Sequence, residues 1–125
     1  RANGALLAPQ VHWLEGDWYA PLDSTLRFDR IVANPPYLAD NDPHLPDLRH
    51  EPWDALVAGP RGLECLERII AGAHERLSLH GMLLLEHGPD QGKAVRSLLT
   101  NAGFSAVRTC CDLAGRERVS SGTRT

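Results

Sequence analysis

Five stretches carry the apolar patterning of strands, and two carry that of helices. Val11 to Gly16 ("VHWLEG") and Phe28 to Ala33 ("FDRIVA") are strand candidates by apolar content and alternation. Met82 to His87 ("MLLLEH") is a continuous apolar run, the pattern of a strand buried on both faces. Ser105 to Cys111 ("SAVRTCC") and Glu117 to Thr123 ("ERVSSGT") alternate, as half-buried or edge strands do. Leu63, Leu66, Ile69, Ile70, Ala73 and Leu77 share one helical face, and Gly81 supplies a stop. Val95, Leu98, Leu99 and Ala102 repeat that spacing, with Gly103 placed as a C′ residue. The opening "RANGALLA" reads as the tail of an earlier helix. Leu38 to Pro60, rich in Pro, Asp and His, lacks periodicity and reads as a long loop, a feature that in compact domains is usually functional or mobile.

Strands interleaved with helices predict an α/β sheet with helices on its faces. In such sheets ligands collect at the carboxyl ends of strands. Two candidate stretches lie at such ends: Gly16-Asp17-Trp18 and Asn34 to Tyr37.

The length of 125 residues is that of one ordinary domain. A chain of this size buries about two thirds of its unfolded surface, enough for a core. A net charge of −3, with Lys and Arg scattered singly, leaves no basic block for a phosphate backbone and disfavours a dedicated nucleic-acid binder. No apolar run approaches the ~20 residues of a membrane span, and no secretory leader pattern is present. Cys65, Cys110 and Cys111 form no CxxC pair or zinc spacing; they are expected to be small buried hydrophobes in a reducing, cytoplasmic setting. The chain opens without a methionine, as a piece of a longer protein would.

The chemistry concentrates in "IVANPPYLAD", Ile31 to Asp40. Proline has no N–H for a sheet ladder, so the strand must stop at Asn34. A residue before proline is confined to extended geometry, and each ring fixes its own φ. Asn34 and the carbonyl of Pro35 therefore sit in a stiff frame, and both are acceptors. Together they could take both hydrogens of one planar NH2 group, while Tyr37 offers an aromatic face for stacking. Gripping those hydrogens turns a delocalised nitrogen lone pair toward an electrophile and stabilises the charge that develops. A proline turn in which Asn34 caps and Tyr37 packs is the plainer alternative.

"DRIVANPPY" resembles the substrate-binding signature of S-adenosylmethionine-dependent amino-group methyltransferases, which act on glutamine side chains, adenine N6 or guanine N2. The tetrapeptide alone does not choose among these. The stretch "NPPYLADNDPHLPDLRHEPWDALVAGPRGLECLERII", then "GMLLLEHGPDQGKAVRSLL", "AGF" and "RERV", resembles the glutamine N5-methyltransferases of peptide chain release factors. The resemblance implies a Rossmann-like class I methyltransferase sheet of order 3-2-1-4-5-7-6. It also implies S-adenosyl-L-methionine as methyl donor and the Gly-Gly-Gln loop of class I release factors as substrate. Asn34 and Pro35 would hold the glutamine amide for in-line attack on the methyl group, with Pro36 and Tyr37 shaping its pocket. Asp17 and Trp18, with Asn34, would lie against the cofactor.

The family's glycine-rich cofactor loop and the acidic residue after its second strand have no counterpart here, and its small N-terminal helical domain is also missing. Residues 1–125 therefore read as the C-terminal half of the catalytic domain, from about the third strand onward, with most of the cofactor site outside the chain. Two consequences are expected. The chain alone is inactive, and its unpaired sheet edges favour self-association. An adenine or guanine amino methyltransferase, or an inert half-domain that binds a partner, are the competing readings.

Other chemistry-bearing residues read more plainly. Asp40, Asp42, His44, Asp47, His50 and Glu51 fit no zinc or calcium spacing, so no metal is expected and a solvated loop is the better account. Glu51 and Pro52 fall in "RHEP", which also resembles a family segment. Glu86-His87 reads as a capped strand end rather than a pocket-facing pair.

Overall fold

The computed structural model describes residues 10–37 and 62–125. The expected helix tail in "RANGALLA" and the long loop from Leu38, with its acidic and histidine residues, lie outside the described residues.

Strand β1, Phe28–Ala33, leads in sequence to helix α1, Glu64–Arg76. Strand β2, Leu77–Glu86, follows α1 directly, and helix α2, Gly92–Asn101, comes next. Strands β3, Ser105–Cys111, and β4, Glu117–Thr123, complete the described elements. Both later strands have the bounds that alternation predicted. The four strands form one mixed sheet of order β1-β2-β4-β3. β1 runs parallel to β2, whereas β4 is antiparallel to both β2 and β3. This is the 4-5-7-6 portion of the expected order.

The α1 stripe buries Leu66, Ile69, Ile70 and Ala73 against Leu77, Leu83 and Leu85 of β2, and Val95, Leu99 and Phe104 join the same cluster. Both helices thus cover the face that Leu83 and Leu85 present. On the opposite face Met82 and Leu84 are only half-buried, and Val32, in register with Leu84, is 76% exposed. The continuous apolar run of β2 is therefore fully buried on one face, not on both.

Three further expectations need correction. Residues 11–15 form no strand, and Val11, Trp13 and Leu14 are exposed. An apolar, alternating segment becomes a strand only where a neighbour completes its ladder, and among the described residues none does. Gly81 does not stop α1. The helix ends at Leu77, whose extended backbone begins β2, and its N–H still bonds Ala73. The regular β1 ladder nevertheless resumes at Met82, because residues between Leu77 and Met82 bulge out of register. Finally, Cys65 is half-buried and Cys110 and Cys111 are exposed free thiols. The last two sit at the end of an edge strand, with a register shift between them.

Gly103 does close α2 as expected. Its φ of +90 suits glycine, and its N–H bonds the carbonyl of Thr100.

Candidate active site

β1 delivers the chain to the proline corner. Ala33, opposite Leu85, is the last paired residue of the ladder, and Asn34, Pro35, Pro36 and Tyr37 continue without strand pairing. Pro35 is buried, Pro36 and Tyr37 are half-buried, and Asn34 is exposed. The Pro35 ring thus roots the corner while the Asn34 amide stays at the surface, at the carboxyl end of a parallel strand. An exposed amide oxygen on a rigid mount can accept a hydrogen bond from an incoming NH2 group without a large entropic cost.

Tyr37 docks onto the turn between β2 and α2. Its carbonyl accepts a hydrogen bond from Gln91 Nε2 at 2.8 Å. Its ring lies over Gly88, where a Cβ would stand 3.2 Å from Tyr37 Cδ2. A side chain there would crowd the Tyr37 ring by a few tenths of an ångström.

Asp17 and Trp18 are held by a different element. Asp17 Oδ2 accepts from Arg68 Nη2 of α1 at 2.8 Å, in an ion pair whose side chains are 68% and 61% exposed. Such an exposed pair contributes about 0–1 kcal/mol. Trp18 has a left-handed φ of 51 and packs half-buried against the apolar cluster. Tyr19 donates its hydroxyl hydrogen to the carbonyl of Ile69 at 2.8 Å. Burial pushes the Tyr19 phenol up to about 12, against the opposing pull of the Arg76 guanidinium 5.9 Å from its ring. The expected site residues thus have different immediate supports: Asp17 pairs with α1, Trp18 packs on the apolar cluster, and Asn34 to Tyr37 continue from β1 onto the turn before α2.

A polar chain behind the corner was not legible in the sequence. His87 is fully buried. Its Nδ1 lies 2.8 Å from the Gly88 carbonyl and its Nε2 lies 2.8 Å from Ser120 Oγ. Ser120 meets Thr109 Oγ1 at 2.6 Å, and Thr109 accepts from Arg96, which also pairs with Glu117. His87 is thus neither pocket-facing nor a simple cap; it ties β2 to β4. Gln91 was missed as well. The one local signal was "EHGPDQG", a polar turn between a buried strand and a helix. Two of the three partners of the Gln91 side chain lie 54 and 29 residues away, beyond the reach of periodicity.

A cavity of about 350 Å³, lined by Ser24, Arg27, Glu75, Arg76 and Arg124, lies away from the proline corner, near the start of β2. Among the described residues, no three His, Cys, Asp or Glu side chains gather as a metal site. No described helix is long and apolar enough to cross a membrane.

No protein-family model matches the chain. Individual relatives do. The release factor glutamine methyltransferase of Burkholderia pseudomallei is 51% identical over 124 residues, 98% of this chain and 42% of that protein. That of Pseudomonas aeruginosa is 49% identical over 98% of this chain and 45% of its own length. Among solved structures, the release factor-specific protein-(glutamine-N5) methyltransferase of Alicyclobacillus acidocaldarius superposes with a TM-score of 0.52 at 29% identity, covering 78% of this chain and 49% of that one. The chain thus spans less than half the length of these proteins. In sequence and in its Rossmann-like fold, this chain is similar to a C-terminal part of the release factor glutamine methyltransferases.

Proposed function

We propose that the full enzyme containing this chain transfers a methyl group to the side-chain nitrogen of the glutamine in the Gly-Gly-Gln loop of a class I release factor. The observation that carries the proposal is identity near one half, over almost the whole chain, with proteins named for that activity. The exposed Asn34 on a buried proline root supports it chemically. Residues 1–125 would form the C-terminal half of the catalytic domain, in a cytoplasmic enzyme. The chain alone would be inactive, with most of the cofactor site contributed by the rest of the full enzyme.

Asn34 Oδ1 and the carbonyl of Pro35 would accept the two hydrogens of the glutamine amide. The nitrogen lone pair is then held toward the methyl donor, and the developing positive charge faces two oxygens. As the N–C bond forms and the methyl–sulfur bond breaks, one of the two amide hydrogens leaves as a proton to solvent. Pro36 and Tyr37 would border the pocket, and the buried Pro35 holds the acceptors still. Asp17, Trp18 and Asn34 would contribute to holding S-adenosyl-L-methionine, which when bound supplies an electrophilic methyl group.

The test is methyl transfer by the full-length protein to a class I release factor, read by mass spectrometry as one methyl on the loop glutamine, with DNA as the competing substrate. Transfer to the release factor is expected. Transfer to DNA alone would establish the amino methyltransferase of nucleic acid instead. Asn34→Ala should lower kcat by about 10²-fold or more, as for loss of a donor or acceptor aimed at developing charge. S-adenosylhomocysteine affinity should change little. A fully active variant would refute the role of Asn34.

A further inference from the structure

Gln91 occupies the N-cap of α2 but makes no side-chain cap bond. Its amide is used elsewhere: both hydrogens of Nε2 and one lone pair of Oε1 are engaged. Oε1 accepts from the Gly88 N–H at 2.9 Å. Nε2 donates one hydrogen to the Tyr37 carbonyl at 2.8 Å and another to the Gly62 carbonyl at 3.1 Å. The Gly88 N–H can only donate and the two carbonyls can only accept, so the orientation of the amide is determined by its partners. One side chain thereby joins the last residue of the proline corner to Gly62, the next described residue along the chain.

The turn that carries Gln91 is itself tightly held. The Gln91 N–H bonds the Gly88 carbonyl at 3.1 Å, and the His87 N–H bonds the Arg118 carbonyl at 2.9 Å. Fully buried His87 anchors the same Gly88 carbonyl through Nδ1 and reaches Ser120 of β4 through Nε2. Above this platform the Tyr37 ring rests on Gly88.

We propose that Gln91 is a positioning residue: by holding the Tyr37 carbonyl on the β2–α2 turn it sets the aim of Asn34 and of the Pro35 carbonyl. The geometry gives the reason. Asn34, Pro35 and Pro36 lie between two fixed points, the ladder pair Ala33–Leu85 and the Gln91–Tyr37 bond. Two proline rings remove most of the backbone freedom between those points. Releasing the second point lets the corner swing about the first, and a displacement of about 1 Å at reacting groups can cost 10²-fold in rate. Gln91 touches neither substrate nor cofactor in this role. The inference rests on the function proposed above.

The experiment compares Gln91→Glu, Gln91→Ala and wild type in the full-length enzyme, measuring kcat and KM on a release factor, S-adenosylhomocysteine affinity by calorimetry, and Tm. Glutamate keeps the shape and the acceptor toward Gly88 but puts a carboxylate against two carbonyls. The expected result is a fall in kcat of about 10- to 100-fold for both variants, with Glu no better than Ala. S-adenosylhomocysteine affinity should stay within about twofold, and Tm near that of wild type. An active wild type with an equally active Gln91→Glu overturns the inference alone, as does a loss of cofactor affinity and Tm in proportion to rate. A wild type inactive on release factors overturns the functional proposal and the inference with it.

Discussion

At the scale of single residues, what separates Asn34, the proposed acceptor, from the groups proposed to support it is whether their polar atoms are already engaged. Asn34 is exposed, whereas Gln91 and His87 spend both side-chain polar atoms within the fold. Tyr19 is likewise engaged. Its phenol bonds Ile69 and is pushed up from the ordinary 10.0 to about 12, chiefly because burial disfavours the charged form. The raised value sets the sign of a pH effect. Below pH 10 both folded and unfolded phenols are neutral and the contribution is complete; between 10 and about 12 only the unfolded form ionises, and stability is lost. Tyr19→Phe should cost about 1 kcal/mol at neutral pH for the lost hydrogen bond. It should also remove this alkaline loss from a plot of Tm against pH. An unchanged alkaline slope would assign the effect to another group. Gln91, by contrast, could not be identified from residue type, since glutamine before a helix usually reads as an indifferent cap.

At the scale of elements, patterning succeeded where a segment pairs or packs near its own position in the sheet. β3 and β4 follow their alternation because a short turn returns one onto the other. Asp112 organises that turn. Its Oδ1 accepts from the N–H groups of Ala114 and Arg116, and its Oδ2 from Arg118. These bonds hold its carboxyl below the usual range, the Arg116 N–H contributing most. The turn's contribution is therefore present above an ordinary carboxylate pKa and lost as pH falls through the lowered one. Asp112→Ala should loosen the β3–β4 hairpin, seen as faster amide exchange in Cys111 and Glu117, while α1 keeps its protection. Equal exchange in both proteins would show the turn to be set by backbone alone. Periodicity failed at residues 11–15, whose apolar residues lack a ladder, and at Gly81, where α1 passes into β2 without a break.

At the scale of the whole molecule, the helices cover one face of the sheet and β1 pairs on one side only among the described strands. Val32 stands 76% exposed on the other face. An apolar edge strand with free N–H and C=O groups is a template for another chain. The chain as given is therefore expected to self-associate. Light scattering at increasing concentration should show a rising mass, and a constant monomer mass would refute this.

The sequence alone carried what depends on local covalent chemistry and periodicity: the strands β1, β3 and β4, both helices, the turn at Gly103, and the end of the β1 ladder ahead of the two prolines. Those features arise from side-chain spacing, from the missing proline N–H, and from restricted φ, all of which act within a few residues. Tertiary structure alone decided which face was covered, that Cys110 and Cys111 are exposed, and that Asp17 pairs with Arg68 of α1 while Trp18 packs on the apolar cluster. It also decided that Gln91 and the buried His87 stand behind that corner. These are matters of pairing across long stretches of chain, where a buried polar group must find its partner wherever the fold has brought one.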